Sequence, residues 1–442
     1  MTREDSTPHL ERYATYEEAC REYRAAIPRQ FNIAETVCRR HADAVTRIDL
    51  IEVRPAANNI YTAGALDYFS DKFATVLANS GIVHGDRIAV MLAQSAALIV
   101  AHLGALKLGA VVVPLSAGAD SEQNEFILKH TAARALVIEE AHRGDAAIKE
   151  DESRAVFVVS DAVHSHVVAG SDRSFWREVY EASSDFRIAE TPASTPALIF
   201  WVLDGKDAPR YIVHTHAALI DSLAAFEMAN DFELGDNVVF WTPGGWASIG
   251  SLFGMIYPAL YYGIPIVAGE EMDFDGNRSL EIMESCEVTT AVLEAGQLQA
   301  WKSNHPNPRD RFDLKLQRVI VTDSGLTQEM IDWVTTDLKA SLQADLINIE
   351  TGPLVATCDR WFERKDGTLG RPVPGRMVEI LDSNGSVVPP GFRGRLAIRL
   401  ADRIVRTPRN VLPGMTAASP GDWFVTEQVG IKDEDGNVLM VI

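Results

Sequence analysis

Cysteine is scarce in this chain: there are four, Cys20, Cys38, Cys286 and Cys358, far apart and without a CxxC pair. That spacing excludes a disulfide framework and a zinc-ribbon site, and it fits reduced thiols in a cytosol. An apolar leader is also lacking, because the opening MTREDSTPHLERY is polar and charged where a secretory signal needs an apolar core. The most apolar stretch, residues 88–115, carries Gln94, His102 and Lys107 and is broken by Gly104 and Gly109. A membrane helix needs about 20 mostly apolar residues without such interruptions. Positive charge is in deficit: 41 basic against 62 acidic residues give a net charge of −21. That balance argues against nucleic acid or an anionic membrane as the main partner. No repeat, low-complexity tract or heptad seam is present. What remains is a cytoplasmic globular protein, 47% hydrophobic and 23% charged, long enough for two or three subdomains and a large core.

The dominant pattern is short β-branched runs alternating with amphipathic stretches. Strands are expected at 87–92, 110–114, 135–138 and 155–159, with a helix at 94–108. A second series follows, with strands at 197–202, 237–241, 265–268, 289–293, 317–322 and near 345–349. Its helices are expected at 216–229, 247–262, 278–286 and 327–341. Helices between consecutive strands favour parallel βαβ units. From about residue 370, Gly370, Pro372, Pro374, Gly375, Gly385, Pro389, Pro390, Gly391 and Gly394 punctuate short strands, the texture of an all-β subdomain. The expected organisation is an α/β subdomain over 1–190, a second over 191–369 and a β subdomain over 370–442.

Residues 198–219, LIFWVLDGKDAPRYIVHTHAAL, have the outline of a phosphate-binding loop stripped of most glycines and hydroxyls. A loop that wraps phosphates needs backbone N–H groups converging on the anion and small residues that let it approach. Here Gly205 is the one glycine, Trp201 and Leu203 add bulk, and Asp204 and Asp207 repel phosphate. An ordinary polar loop between two strands is the favoured reading.

Several strings point one way: GIVHGDRIAVML (81–92), AHLGALKLGAVVVPLS (101–116), VHTHAAL (213–219), WTPGGWASIGSLFGMIYPALYYGIPIV (241–267), ETGPLVAT (350–357) and GTLGRPVPG (367–375). Together they resemble the short- and medium-chain acyl-CoA synthetases of the acyl-adenylate-forming, AMP-binding superfamily, over nearly the whole chain and in the family's order. The resemblance implies two doubly wound α/β subdomains, a small β-barrel subdomain and a C-terminal lid domain. The chain stops at Ile442, ahead of the family's hinge, so the lid is expected to be absent and the chain truncated. Family members use MgATP to make an acyl-adenylate and then transfer the acyl group to CoA, mainly by positioning and charge stabilisation.

The resemblance also implies where the chemistry sits. In the phosphate loop Pro209 is in place, Arg210 replaces the family's Lys with its charge kept, and Gly205 and Lys206 stand among lost hydroxyls. The family's metal-binding Glu corresponds to Glu350, which with Arg210 forms the expected catalytic pair and is the expected Mg ligand. Ile349 takes the place of the hydroxyl next to it, and Thr351 follows. Ile347 stands where a small residue opens an acyl tunnel, so a shortened pocket is expected, with Trp241 and Trp246 on its wall. Asp323, Ser324 and Gly325 correspond to the adenine segment, and Gln428 to the ribose aspartate. A glutamine is a poor clamp for a vicinal diol. The pair His214 and His216 could reach a metal with Glu350, but a structural role is favoured, and Cys358 lacks a placed base.

The expected function is therefore that of a degenerate acid–thiol ligase, a pseudoenzyme without autonomous adenylation. It would act as a partner subunit, a scaffold or a binder of an acyl, CoA or nucleotide ligand. Its partner would be a full-length synthetase or a separate C-terminal domain, with homodimerisation as the family habit. The alternatives are an active acid–CoA ligase using ATP, Mg and CoA with the C-terminal domain supplied in trans, and a repurposed enzyme using the acyl cleft without ATP.

Overall fold

A computed structural model describes residues 9–41, 46–118, 120–143, 154–160, 171–202, 210–269, 276–323, 325–365, 367–399 and 423–441. Gly205, Lys206 and Ser324 lie outside the described residues, as does the side chain of Arg210.

Three sheets organise the chain. The first has seven strands in the order Arg173–Ser174, Ala155–Val159, Ala135–Glu139, Arg87–Met91, Val111–Pro114, Pro196–Val202 and Arg210–Thr215. Its strands pair in parallel except for the last two, which form an antiparallel hairpin. The second has nine strands, running from Arg371–Pro372 through Ser341–Asn348 and Phe240–Trp241 to Ile48–Glu52 and Asn59–Thr62. Its interior pairs are parallel and its flanking pairs antiparallel. The third is a four-stranded antiparallel sheet of Val378–Leu381, Arg393–Arg399, Trp423–Lys432 and Val438–Met440. The fold class is thus the expected one, two α/β layers with a small half-barrel sheet.

Sheet membership does not follow the sequence blocks 1–190 and 191–369. Pro196–Val202 joins the first sheet beside Val111–Pro114, and Ile48–Glu52 crosses to pair with Ile266–Ala268 in the second. Alternation of apolar residues marks a strand but carries no information about which sheet it enters.

The helix Ala96–Leu108 shows how the apolar stretch is used. Ser95 caps it by accepting from Leu98 N–H, and Gly109 ends it in a left-handed conformation at φ +76°. It is buried on every side, which explains an apolar run without a polar face. Gly104 is required here, since a Cβ would stand 2.8 Å from Phe73 Cδ1 and 3.0 Å from the Ser70 carbonyl. Lys107, wholly buried, is held by Asp67 at 2.6 Å and Asp71 at 2.8 Å, and Arg39 closes the network on both carboxylates. Buried charge is tolerated because it is paired.

The helix expected at 247–262 forms as Ile249–Ser251, a wider π-helical turn at Leu252–Ile256, and Tyr257–Tyr262. Such turns commonly mark functional sites.

Candidate functional site

A cavity of about 410 Å³ draws its wall from both large sheets. The C-terminal end of Pro196–Val202 contributes Phe200 and Trp201, and the segment after Phe240–Trp241 contributes Gly245 to Ile249, including Trp246. Ile349 enters from the end of Ser341–Asn348, and Leu115 and Ile127 complete the apolar face. Ser116, Ser248, Gln123 and Asn124 supply polar groups, and none of the described lining residues is Lys, Arg or His. Volume and composition fall in the range of small-molecule sites.

The expected site residues separate into those on this cavity and those elsewhere. Trp246 lines it, and its ring is almost wholly buried. Trp201 lines it too, packed edge-on against Phe126 at 5.5 Å. Ile347 is half-buried against the core and meets Gly254 in the π-helical turn. Trp241 lies away from the cavity wall: it is fully buried, donates its indole N–H to the Gly269 carbonyl at 2.8 Å and stacks on Trp301 at 6.2 Å. Trp241 belongs to a buried hydrophobic cluster that also contains Leu280 and Leu293.

The turn after Ser341–Asn348 is held by its own side chains. Asn348 Oδ1 accepts from Glu350 N at 3.0 Å, Thr351 N at 3.1 Å and the Thr351 hydroxyl at 3.1 Å. Thr351 is thereby engaged within the turn, and Glu350 stands half-buried beside Ile349. His214 Nε2 donates to the Ile349 carbonyl at 2.8 Å. Burial pushes His214 down to about 4 and His216 down to about 3, so both rings are neutral at pH 7. His216 Nδ1 accepts from Ile33 N at 3.1 Å. The two rings thus act as internal hydrogen-bond fixtures, and among the described residues no three His, Cys, Asp or Glu side chains converge as a metal cluster.

Asp323 acts structurally, because its Oδ1 accepts from Ala295 N at 2.7 Å, at the start of the helix Ala295–Asn304. Burial raises its pKa, against the hydrogen bonds that lower it. Gly325 adopts φ +120°, a conformation that favours glycine. Gln428 lies on Trp423–Lys432 of the third sheet, its Oε1 buried without a partner among the described residues, and it is not among the described residues that line this cavity. Cys358 is buried, and burial pushes its thiol up, contrary to what a nucleophile needs.

Glu350 fits the protein side of a Mg²⁺ site, because Mg²⁺ on substrate phosphates takes one or two carboxylates. The described cavity wall presents the rings of Phe200 and Trp201 and the aliphatic chain of Ile349, and residues 203–209, where the family resemblance places the phosphate contacts, lie outside the described residues.

Sequence reasoning missed Gln94. Its amide donates to the Thr242 carbonyl at 3.0 Å and to that of Gly244, and accepts from Gly269 N at 2.9 Å. One side chain thus ties the first sheet to two segments of the second. The available signal was a polar residue following the strand at 87–92, inside an apolar run.

Comparison with known proteins gives a consistent result. The family model described as AMP-binding enzyme matches residues 34–402. An uncharacterized acyl–CoA ligase of Bacillus subtilis is 22% identical over 387 residues, covering 83% of this chain and 68% of that protein. Acetyl-coenzyme A synthetase of the same organism is 22% identical over 420 residues, covering 92% of this chain and 71% of that protein. The crystal structure of a Brucella canis acyl-CoA synthetase superposes with a TM-score of 0.86 at 20% identity, over 97% of this chain and 80% of that one.

Proposed function

The chain belongs to the family of AMP-binding enzymes, and from that premise we propose that it binds a small acyl ligand without carrying out ATP-dependent adenylation by itself. The observation that carries this reading is the apolar wall of the 410 Å³ cavity, where Phe200, Trp201, Trp246 and Ile349 meet. An adenylating site must hold several phosphate charges, each of which needs a donor or cation to replace water. An apolar acyl chain needs only area, at roughly 25 cal/mol per Å² buried. Ile347 packs against Gly254, and the bulk that the family resemblance associates with a closed acyl tunnel at this position favours a short or compact acyl group. In this reading the protein serves as a ligand-binding partner subunit or scaffold.

Thermal melts with MgATP, AMP, CoA, short carboxylic acids and short acyl thioesters test it, alongside an assay for AMP and pyrophosphate. A ligand that binds only the folded state at 100 times its Kd adds about 2.7 kcal/mol. The expected result is stabilisation by a short acid or acyl thioester, none by MgATP or AMP, and no pyrophosphate. The active-ligase reading rests on the retained Glu350 and on the relatives' activities. Pyrophosphate release that disappears in Glu350→Ala would establish it and remove the first.

A further inference from the structure

A larger cavity lies elsewhere in the protein. It measures about 590 Å³ and shares only Ala93 with the site just described. It opens at the C-terminal ends of Arg87–Met91, Ala135–Glu139 and Ala155–Val159 in the first sheet, and of Ile48–Glu52 and Ile266–Ala268 in the second. In the first sheet the chain places Val111–Pro114 on one side of Arg87–Met91 and Ala135–Glu139 on the other. Open parallel sheets bind ligands in the crevice that such a reversal of strand order creates.

The lining carries three carboxylates, Glu52, Glu139 and Glu140, two guanidinium groups, Arg54 and Arg278, and the half-buried indole of Trp176. Its charges are largely matched inside the protein. Glu52 accepts from Ala96 N at 3.0 Å, Asn59 Nδ2 at 2.9 Å and Arg54 at 3.0 Å. Glu139 accepts from Ala93 N at 2.8 Å, and Arg278 lies 3.8 Å from Glu281. The amides that would attract an anion, those of Ala93 and Ala96, therefore already face carboxylates. A phosphate entering this crevice meets them at close range, and an organic cation meets the two arginines.

An uncharged ligand that donates and accepts at neighbouring atoms meets neither objection. Sugar hydroxyls do both, carboxylates accept from vicinal diols, guanidinium groups donate to them, and an indole covers the C–H face of a sugar ring. We propose that this cavity binds an unphosphorylated sugar ring, its hydroxyls shared among Glu139, Glu140 and Arg54, with Trp176 as the platform. The ring can come from a free pentose or hexose or from a nucleoside. This site is separate from the acyl cavity and does not depend on how that cavity is read.

Ligand-observed NMR titration of the full chain with D-ribose, D-glucose, adenosine, ribose 5-phosphate and AMP tests it. Trp176→Phe keeps a ring against Phe69, and Glu139→Gln keeps an oxygen for Ala93 N; melting curves verify that both variants fold. The expected result is saturable binding of at least one unphosphorylated ligand, at a Kd of about 10 mM or tighter, weakened at least five-fold in each variant. Preference for adenosine over ribose and glucose would assign the ring to a nucleoside, and the reverse to a free sugar. The proposal is overturned if no unphosphorylated ligand saturates. It is equally overturned if the phosphorylated forms bind more tightly and lose that binding in the variants, or if both variants bind the sugar as the unaltered protein does. Adenylation is not read in this titration, so its failure leaves the reading of the acyl cavity in place.

Discussion

Ile347 Cδ1 stands 2.5 Å from the point that a Cβ on Gly254 would occupy, so a side chain at 254 requires the Ile347 methyl to move. Alanine at 254 would gain about 0.5–1 kcal/mol of helical preference but must displace the Ile347 methyl, an overpacking cost of about 1–3 kcal/mol. Gly254→Ala is therefore expected to lose about 1 kcal/mol net in urea denaturation. The loss should shrink when combined with Ile347→Val, which removes the offending carbon. Additive single and double variants would show that the two residues do not share this space.

Gln94 gives a second prediction. Replacing it with alanine removes three hydrogen bonds that join the sheets and leaves the Thr242 and Gly244 carbonyls and Gly269 N–H without that partner. Buried groups left unmatched cost about 1–3 kcal/mol each, less where water enters. Gln94→Ala is expected to lose about 2–4 kcal/mol by urea denaturation. Gln94→Glu should also be destabilising, because the carboxylate keeps the acceptor for Gly269 and opposes two carbonyls. A loss under 0.5 kcal/mol for both variants would remove Gln94 as the tie between the sheets.

The strand and helix series was legible in the sequence because burial imposes period 2 on strands and a longer period on helices: the helix expected at 94–108 forms as Ala96–Leu108, between the caps Ser95 and Gly109. Which sheet a strand enters was not. Ile48–Glu52 pairs with Ile266–Ala268, more than two hundred residues away, through contacts that leave no local pattern. Within the candidate site, Ile349 lies on the apolar wall, a position that the sequence singled out by its departure from the hydroxyl that the family resemblance implies. The structural partners of Asp323 and Trp241 left no mark in the sequence. The first holds a helix amide, and the second stacks in the core on Trp301; a carboxylate and an indole fill such roles as readily as ligand binding.

Asp345 sets a pH dependence. It is buried on the strand Ser341–Asn348 with Oδ1 unpartnered among the described residues, and burial pushes its pKa up to about 7. In the unfolded chain the same group titrates near 4, at about 3.9. Between these values the folded state holds the proton and the unfolded state does not, so stability falls as pH rises from about 4 to about 7 and is level above. Asp345→Asn removes that slope. Its stability relative to the unaltered protein should rise between pH 4.5 and pH 8, on the order of 3 kcal/mol at most. Buried Glu227, also raised to about 7 by burial against the hydrogen bonds from Tyr262, His9 and Leu10, titrates in the same window. The variant therefore removes one share of the slope. Parallel stability curves for Asp345→Asn and the unaltered protein would show that Asp345 is ionised alike in both states.

Two substitutions test whether Ile349 and Gln428 limit nucleotide binding in this chain. Ile349→Thr returns a hydroxyl to the cavity wall, and Gln428→Asp returns the carboxylate that the family resemblance associates with the ribose. AMP carries one phosphate and makes fewer demands on residues 203–209 than ATP does. The double variant is expected to gain an AMP-dependent rise in Tm of a few degrees that the unaltered protein lacks, the size a ligand at 10–100 times its Kd produces in a chain of this length. On the proposed function it should still release no pyrophosphate, because residues 203–209 hold Asp204, Asp207 and a single glycine. An AMP shift of equal size in the unaltered protein would mean that Ile349 and Gln428 do not limit nucleotide binding. Pyrophosphate release by the double variant would place the defect at those two positions and not in the loop.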